Sequence, residues 1–388
     1  MDFALSEQQE SIRSAILTLC GRFGDAYWTE RDRHGGFPDE FHAALARDGW
    51  LGICIPEAYG GVGLGIAEAA IMMGAIAESG AGMSGASAVH MNIFGLNPVV
   101  VFGTEAQKRR MLPPLIAGEH KACFAVTEPN TGLDTTRLRT RAERRGDRYV
   151  VNGQKVWIST AQVADRMLLL ARTTPIEQTK RPADGLSLFY CRIDRDRVEA
   201  REIDKMGRKC VDTNQVFFDD FEIPVEDRIG EEGEGFRYIL HGMNAERILI
   251  AAEAVGLGRA ALARAVAYAK DRVVFDRPIG QNQAIQHPLA ESWMKLEAAW
   301  LATLSAAWHF DSGKPAGPMA NTAKYLAGEA GFEACERAVM SHGGFGYARE
   351  YQVERYLREV MITRIAPVSP QLILCFIAEK VLGLPKSY

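Results

Sequence analysis

The hydrophobic period of this chain changes twice, and that change constrains its fold more than any single motif. Over residues 6 to about 118, apolar residues recur at helical spacing. Ser6 with Gln9 three residues later makes a capping-box pattern, and Ile12, Ile16, Cys20 and Phe23 follow at helical intervals. Glycine-bearing breaks at Gly60-Gly61-Val62-Gly63 and Gly80-Ala81-Gly82 separate the later helical runs. Over about 121–227 the period falls to two, and β-branched and aromatic residues gather. Arg148-Tyr149-Val150-Val151, Val156-Trp157-Ile158-Ser159, Met167-Leu168-Leu169-Leu170 and Leu186-Ser187-Leu188-Phe189-Tyr190 read as strands. Gly146-Asp147 and Asn152-Gly153 read as turns between them. Over 233–384 the period is helical again, with long apolar-striped runs at 248–270 and 282–310 that suit a bundle. A length of 388 residues accommodates this as two or three domains. The expectation is an α+β chain, with a helical domain over 1–120, a β domain over 121–230 and a helical bundle over 231–388.

Several function classes are excluded at this stage. A formal net charge of -4 offers no general attraction to phosphate backbones, so no nucleic-acid partner is expected. No unbroken run of eighteen apolar residues is present, and no membrane span is expected. Met1-Asp2-Phe3-Ala4-Leu5-Ser6 lacks the basic and apolar regions of a leader. The seven cysteines are scattered without a C-x-x-C pair, which suits reduced thiols in the cytoplasm and gives no zinc site. Gly256-Leu257-Gly258-Arg259-Ala260-Ala261 matches a dinucleotide-binding pattern, but it sits inside a helical run with no strand before it. The chain has no G-x-x-x-x-G-K-[ST], H-E-x-x-H or G-x-S-x-G motif, and its histidines occur singly, as structural or exposed residues do.

Two segments of the β block carry a possible ligand chemistry. Cys123-Phe124-Ala125-Val126-Thr127-Glu128-Pro129-Asn130-Thr131-Gly132-Leu133-Asp134 is a strand running into a loop, where backbone N–H groups and Thr127 can face a polar ligand. Asn152-Gly153-Gln154-Lys155-Val156-Trp157-Ile158-Ser159 places Trp157 and Ser159 on one side of a strand by simple alternation. A large ring beside a hydroxyl suits a flat heterocycle with polar edges. Taken alone, the two segments read better as an acidic turn after a strand and as a core tryptophan.

Together, in this order and at this spacing, the two segments resemble those of the acyl-CoA dehydrogenase family. Arg272-Val273-Val274-Phe275-Asp276-Arg277-Pro278-Ile279, followed by Gln283, is similar to the family's R-x-x-F-G-x-P-I…Q segment. His342-Gly343-Gly344-Phe345-Gly346-Tyr347, followed by Glu354-Arg355, is similar to its GG-x-G-Y…R segment. The resemblance spans essentially the whole chain. It implies an N-terminal helical domain, a middle β-barrel and a C-terminal four-helix bundle, with FAD as cofactor and acyl-CoA as substrate. It also implies an electron-transfer flavoprotein as electron acceptor, and a homo-oligomer, tetramer or dimer. By the same resemblance, Phe124, Val126 and Thr127 hold the flavin ring, and Trp157 and Ser159 lie against its other parts. Arg272, Phe275 and Gln283 reach the adenosine end of a neighbouring subunit's FAD. Gly343 and Gly344 allow close approach of its pyrophosphate or adenine, and Ser369 and Gln371 lie near the flavin. Leu133, Asn244 and Arg247 fall on the substrate side.

The departures from the family pattern are informative. Leu133 stands where a serine commonly serves phosphate groups, Asp276 replaces a glycine, and Met340 replaces a glutamine. Ile365-Ala366-Pro367-Val368-Ser369-Pro370-Gln371 stands where many members carry E-G-T, with Pro367 at the place of a catalytic glutamate. The remaining candidate base is Glu246 in Asn244-Ala245-Glu246-Arg247, which aligns with the Glu-Arg pair used by isovaleryl-CoA and long-chain members. A solvated ion pair at a helix start would give the same two residues. The apolar run after them favours burial, where a charge needs a purpose or a partner. Proline also lacks the N–H that relatives aim at the thioester carbonyl at this place. Relatives with other flavin chemistry (a monooxygenase or a desulfinase) and a non-catalytic flavin- or acyl-CoA-binding protein are therefore the alternatives.

Overall fold

The computed structural model describes residues 4–387, so Met1, Asp2 and Phe3 of the leader reading lie outside the described residues. The first block holds helices α1 (Glu7–Cys20), α2 (Asp25–His34), α3 (Asp39–Arg47), α4 (Ile66–Ile76), α5 (Gly82–His90), α6 (Asn97–Phe102) and α7 (Glu105–Ile116). The capping box starts α1 as expected: Gln9 N–H donates to Ser6 Oγ at 3.2 Å and Ser6 N–H to Gln9 Oε1 at 3.1 Å. Gly80 at φ 98° and Gly82 at φ 63° break α4 from α5, conformations that a residue with a Cβ resists.

The second block is one sheet of eight strands: β1 (Ala122–Ala125), β2 (Arg141–Arg145), β3 (Arg148–Ser159), β4 (Arg166–Arg172), β5 (Leu186–Arg192), β6 (Val198–Glu202), β7 (Thr213–Pro224) and β8 (Arg228–Ile229). Its hydrogen-bonded path is β6-β7-β3-β2-β4-β5-β8, with β1 beside β4. The sheet curls, because Tyr149, Val151, Leu169, Phe189, Phe221 and Ile223 from both halves share one core. The path nonetheless ends at β6 and β8, so the expected barrel is an open one. Gly146-Asp147 is the hairpin turn between β2 and β3. Asn152-Gly153 is not a turn. It lies inside the continuous β3, at a register shift between Val151 and Gly153 against β7. Pairing on both sides holds the chain extended, and the glycine marks a bulge.

The third block is a bundle of α8 (Gly235–Asp271), α9 (Gln283–Asp311), α10 (Gly317–His342) and α11 (Val353–Ile365). A small hairpin of β9 (Val273–Val274) and β10 (Arg277–Pro278) joins α8 to α9, and the short α12 (Pro370–Phe376) follows α11. The two helical blocks, far apart in sequence, share one core that joins Ile16, Phe41 and Ile76 to Leu249, Val255 and Leu296. Asp311, the last residue of α9, accepts from the N–H groups of Ile66 and Ala67 at 2.8 and 2.9 Å and so caps α4 across the two blocks. Gly256 and Gly258 serve helix packing. A Cβ on Gly256 would stand 2.2 Å from the Gly74 carbonyl oxygen, and one on Gly258 would stand 3.1 Å from the Gly331 Cα.

Two helical stretches are long and apolar enough to cross a membrane, a possibility that a search for unbroken apolar runs misses. Ile66–Phe102 is packed mostly inside the protein core, with 67% of its apolar window buried. Val353–Val381 is interrupted after Ile365, and only 17% of its window is buried.

Candidate active site

Glu246 and Arg247 lie about three turns into α8, not at its start, because the helix already begins at Gly235. Burial pushes the Glu246 carboxyl up to about 7, against the opposing pull of His90 and Arg247 and with a further push from Glu253. Its Oε2 is buried with no hydrogen-bond partner among the described residues. Arg247 donates from Nη1 to Asn244 Oδ1 at 3.0 Å, and its Nε is likewise buried without a partner among the described residues. A carboxyl with a raised pKa beside an unsatisfied guanidinium N–H is an arrangement fit to take a proton and hold a polar substrate group.

The same region faces α5. His90, the last residue of α5, places Nδ1 2.6 Å from Glu253 Oε1 on α8. Its ring lies 4.8 Å from that of Phe94, and Phe94 lies 5.5 Å from Phe124 of β1. This contact line brings the surroundings of the candidate base to the strand expected to hold a flavin.

At that strand, Lys155 is fully buried. Its Nζ donates to the Val126 carbonyl at 2.9 Å and to Glu128 Oε1 at 3.0 Å. Burial lowers the Lys155 ammonium to about 8, opposed by Glu128. Burial would raise the Glu128 carboxyl, but Lys155 and the N–H groups of Arg139 and Thr140 outweigh it and hold the carboxyl below its usual range. The loop after β1 is thus anchored by an internal ion pair, and Val156 N–H donates to the Thr127 carbonyl at 2.9 Å. Trp157 stands at φ 62° on a second register shift, between Lys155 and Ile158, with 61% of its surface exposed. The bulge adds one residue to β3 at this point. Trp157 is displayed to solvent, while Ser159 is half-buried. Thr127 and Phe124 are half-buried, Val126 is buried, and Leu133 is exposed.

The remaining segments form a second, outward-facing group. Phe275 and Asp276 form the tip of the β9–β10 hairpin at φ 51° and 60°. Aspartate tolerates that conformation, which accounts for the lost glycine. Phe275 is 93% exposed, and Arg272 lies over the Phe345 ring at 5.4 Å. Gln283 opens α9. Gly343 has φ 60°, and a Cβ on either Gly343 or Gly344 would meet nothing within 4 Å, so the backbone there is open to a ligand. Met340 and Tyr347 are exposed beside it. The structure does not bring these residues to Glu246 within one chain.

The loop at Pro367 is held from a side that no sequence motif indicates. Lys324 of α10, almost fully buried, donates from Nζ to the carbonyls of Val368 at 2.7 Å and Arg364 at 3.4 Å. Burial lowers its ammonium to about 8, opposed by Glu329 and helped by Arg247 and Arg364. Ser369 caps α12, accepting from Leu372 N–H at 3.3 Å, and Gln371 is exposed. A cavity of about 440 Å³ opens here, lined by Asn244, Arg247, Asn321, Val368 and Leu372 among others. His90, Glu253 and Lys324 carry no motif, and only a lone histidine or a charge within an apolar run hints at them.

These features suit FAD. An exposed indole beside the anchored Thr127 loop offers a face for a planar ring, and the open Gly343-Gly344 backbone offers an approach for a nucleotide. The chain matches the family models for the acyl-CoA dehydrogenase N-terminal domain over residues 6–119, the middle domain over 123–221 and the C-terminal domain over 233–381. It is 36% identical to the acyl-CoA dehydrogenase FadE12 of Mycobacterium tuberculosis, covering 100% of this chain and 99% of that one. Among solved structures it is similar to butyryl-CoA dehydrogenase from Megasphaera elsdenii, with a TM-score of 0.93, 31% identity and coverage of 98% and 100%. It is also similar to an FAD complex of PigA, with a TM-score of 0.93, 25% identity and coverage of 99% and 100%. The chain belongs to the acyl-CoA dehydrogenase family of oxidoreductases, and its cofactor is FAD.

Proposed function

We propose that this enzyme carries out α,β-dehydrogenation of an acyl-CoA thioester to the 2-enoyl thioester, with Glu246 as the base. The observation that carries this is the buried, unpartnered Glu246 Oε2, whose carboxyl is raised to about 7 beside Arg247. A carboxylate whose pKa is raised to about 7 is a stronger proton acceptor than an ordinary one, while a sizeable fraction of it is still ionised near neutral pH. Arg247, held by Asn244, turns an unused Nε–H toward the substrate side and orients the thioester where Pro367 has no N–H to give. Lys324 holds the Pro367 loop in place through the Val368 carbonyl. Phe124, Val126, Thr127, Trp157 and Ser159 bind and orient the isoalloxazine, with Ser369 and Gln371 near its edge and Leu133 toward the thioester's phosphate end. FAD, when bound, supplies the two-electron acceptor for the β-hydrogen.

Arg272, Phe275, Gln283, Gly343 and Gly344 serve the FAD of a neighbouring subunit, so the enzyme works as a homo-oligomer, tetramer or dimer. The 93% exposed Phe275 supports this, since a bulky side chain so far from its own site gains little unless a partner covers it. An electron-transfer flavoprotein reoxidises the enzyme. Seven free cysteines suit a cytoplasmic setting. The test is anaerobic mixing of the FAD-loaded protein with a panel of acyl-CoA thioesters. Bleaching of the flavin with formation of enoyl-CoA is the expected result. Flavin that stays oxidised with every thioester, or turns over only with oxygen, would place the chain with the monooxygenase-type or non-catalytic relatives.

A further inference from the structure

The cavity of about 440 Å³ beside Arg247 has in its wall an acceptor that the proposed reaction does not use. Asn321 of α10 lines the cavity and is only 4% exposed. Its Nδ2–H donates to the Gly317 carbonyl at 2.9 Å, which fixes the amide and leaves Oδ1 with no donor among the described residues. That oxygen is not sealed in the core as Glu246 Oε2 is, so the cavity is the space open to it. Lys324 lies three residues on, along the same face of α10, and its Nζ reaches the Val368 carbonyl at 2.7 Å. Val368 also lines the cavity, so this face of α10 is turned toward both the cavity and the Pro367 loop. The cavity therefore begins at Arg247 and the Pro367 loop, where the thioester is oriented, and continues between Leu240 of α8 and Leu372 of α12. Glu246 and His90, on the acyl side, do not line it.

We infer that Asn321 is a specificity-determining residue that accepts a hydrogen bond from an amide N–H on the thiol arm of the substrate, the part that leaves the sulfur away from the acyl chain. The inference rests on the dehydrogenation proposed for Glu246. A CoA thioester carries secondary amides on a flexible arm, and each N–H needs an acceptor once water is stripped from it. Asn321 Oδ1 is held in place by the bond its own nitrogen makes, so binding orders it no further. Asn244 offers the complement: its Oδ1 is taken by Arg247 Nη1 at 3.0 Å, which leaves its Nδ2–H for a carbonyl of the arm. A purely aliphatic thiol arm fills the apolar part of the cavity but leaves Asn321 Oδ1 desolvated and unpaired.

The experiment uses the FAD-loaded enzyme under anaerobic conditions with one acyl group carried on CoA, on N-acetylcysteamine and on n-pentanethiol. N-acetylcysteamine keeps an amide N–H near the sulfur, and n-pentanethiol has the same length without the amide. The expected kcat/KM for flavin reduction favours the N-acetylcysteamine ester over the pentyl ester by about 3- to 10-fold, the range for one neutral hydrogen bond. Asn321→Leu brings that ratio to about one. With acyl-CoA it raises KM by a similar factor while kcat holds, because the arm is bound alike in the ground and transition states. Asn321→Asp keeps an acceptor oxygen and retains the preference. A merely structural role would slow both short esters together and leave their ratio unchanged. Bound FAD and far-ultraviolet circular dichroism report whether each variant folds, and should Asn321→Leu fail to fold, Asn321→Ala reads the same ratio. Equal rates with the two short esters in the wild type, no reaction with either included, overturn the inference, as does a ratio that survives in the folded Leu or Ala variant. The dehydrogenase function then still stands wherever acyl-CoA bleaches the flavin. If no acyl-CoA in a wider panel does so, the dehydrogenase function falls and the role of Asn321 falls with it.

Discussion

Replacing Glu246 by glutamine tests the chemistry and the electrostatics of the site together. The carboxyl is raised from 4.5 to about 7, chiefly by burial. That difference corresponds to about 3 kcal/mol in favour of the neutral form, at about 1.4 kcal/mol per pH unit. The sign follows from proton linkage. Between 4.5 and about 7 the native state holds the Glu246 proton and the unfolded chain does not, so stability falls as pH rises through that window. Glutamine is neutral at every pH and removes this loss. Glu246→Gln is therefore expected to be at least as stable as the wild type at pH 8, with a flatter dependence of stability on pH from 5 to 8. Denaturant titrations at several pH values measure it. In the same protein, reduction of the flavin by an acyl-CoA that bleaches the wild type should fall by at least about 10²-fold, the lower range for general-base catalysis. The wild-type kcat/KM should rise with pH through an apparent pKa of about 7, and that limb should be missing in the variant. Near-parent rates in Glu246→Gln, or an unchanged rise with pH, would refute the assignment. An unchanged stability profile would show that the carboxyl is not desolvated in solution.

Other perturbations follow from the same structure. Asp311→Ala removes the side-chain cap on α4 and should cost about 1–2 kcal/mol in a denaturant titration; because the two helical blocks share one core, the loss should appear as one cooperative transition, and two separate transitions would contradict the shared core. Lys155→Met leaves Glu128 buried without its cation and should destabilise by about 3–5 kcal/mol and weaken retention of FAD on gel filtration. Phe275→Ala should leave the melting temperature of the protomer nearly unchanged but loosen FAD and the oligomer together in sedimentation, since the side chain is 93% exposed within one chain. A stable FAD-saturated monomer would refute the shared site.

What the sequence by itself determined was local. The twofold change of period gives the helix–sheet–helix order, Ser6 and Gln9 start α1, Gly80 and Gly82 end a helix run, and Gly146-Asp147 closes a hairpin. Each of these depends on residues within a few positions of one another, where backbone sterics and short-range hydrogen bonds decide. The burial of Glu246 was legible too, because an Asn-Ala-Glu-Arg segment before an apolar run is a pattern along the chain. Asn152-Gly153 misled for the opposite reason: its local preference is a turn, but pairing of β3 with β7 on both sides holds it extended as a bulge. The bulge at Trp157 was illegible for the same reason, since a bulge is a property of two strands and not of one. His90 meets Glu253 across 163 residues of chain and Lys324 reaches the Val368 carbonyl across 44, so neither contact leaves a spacing to read. Tertiary structure alone decided these, because desolvation and the pairing of buried charges depend on what packs around a side chain and not on what precedes it.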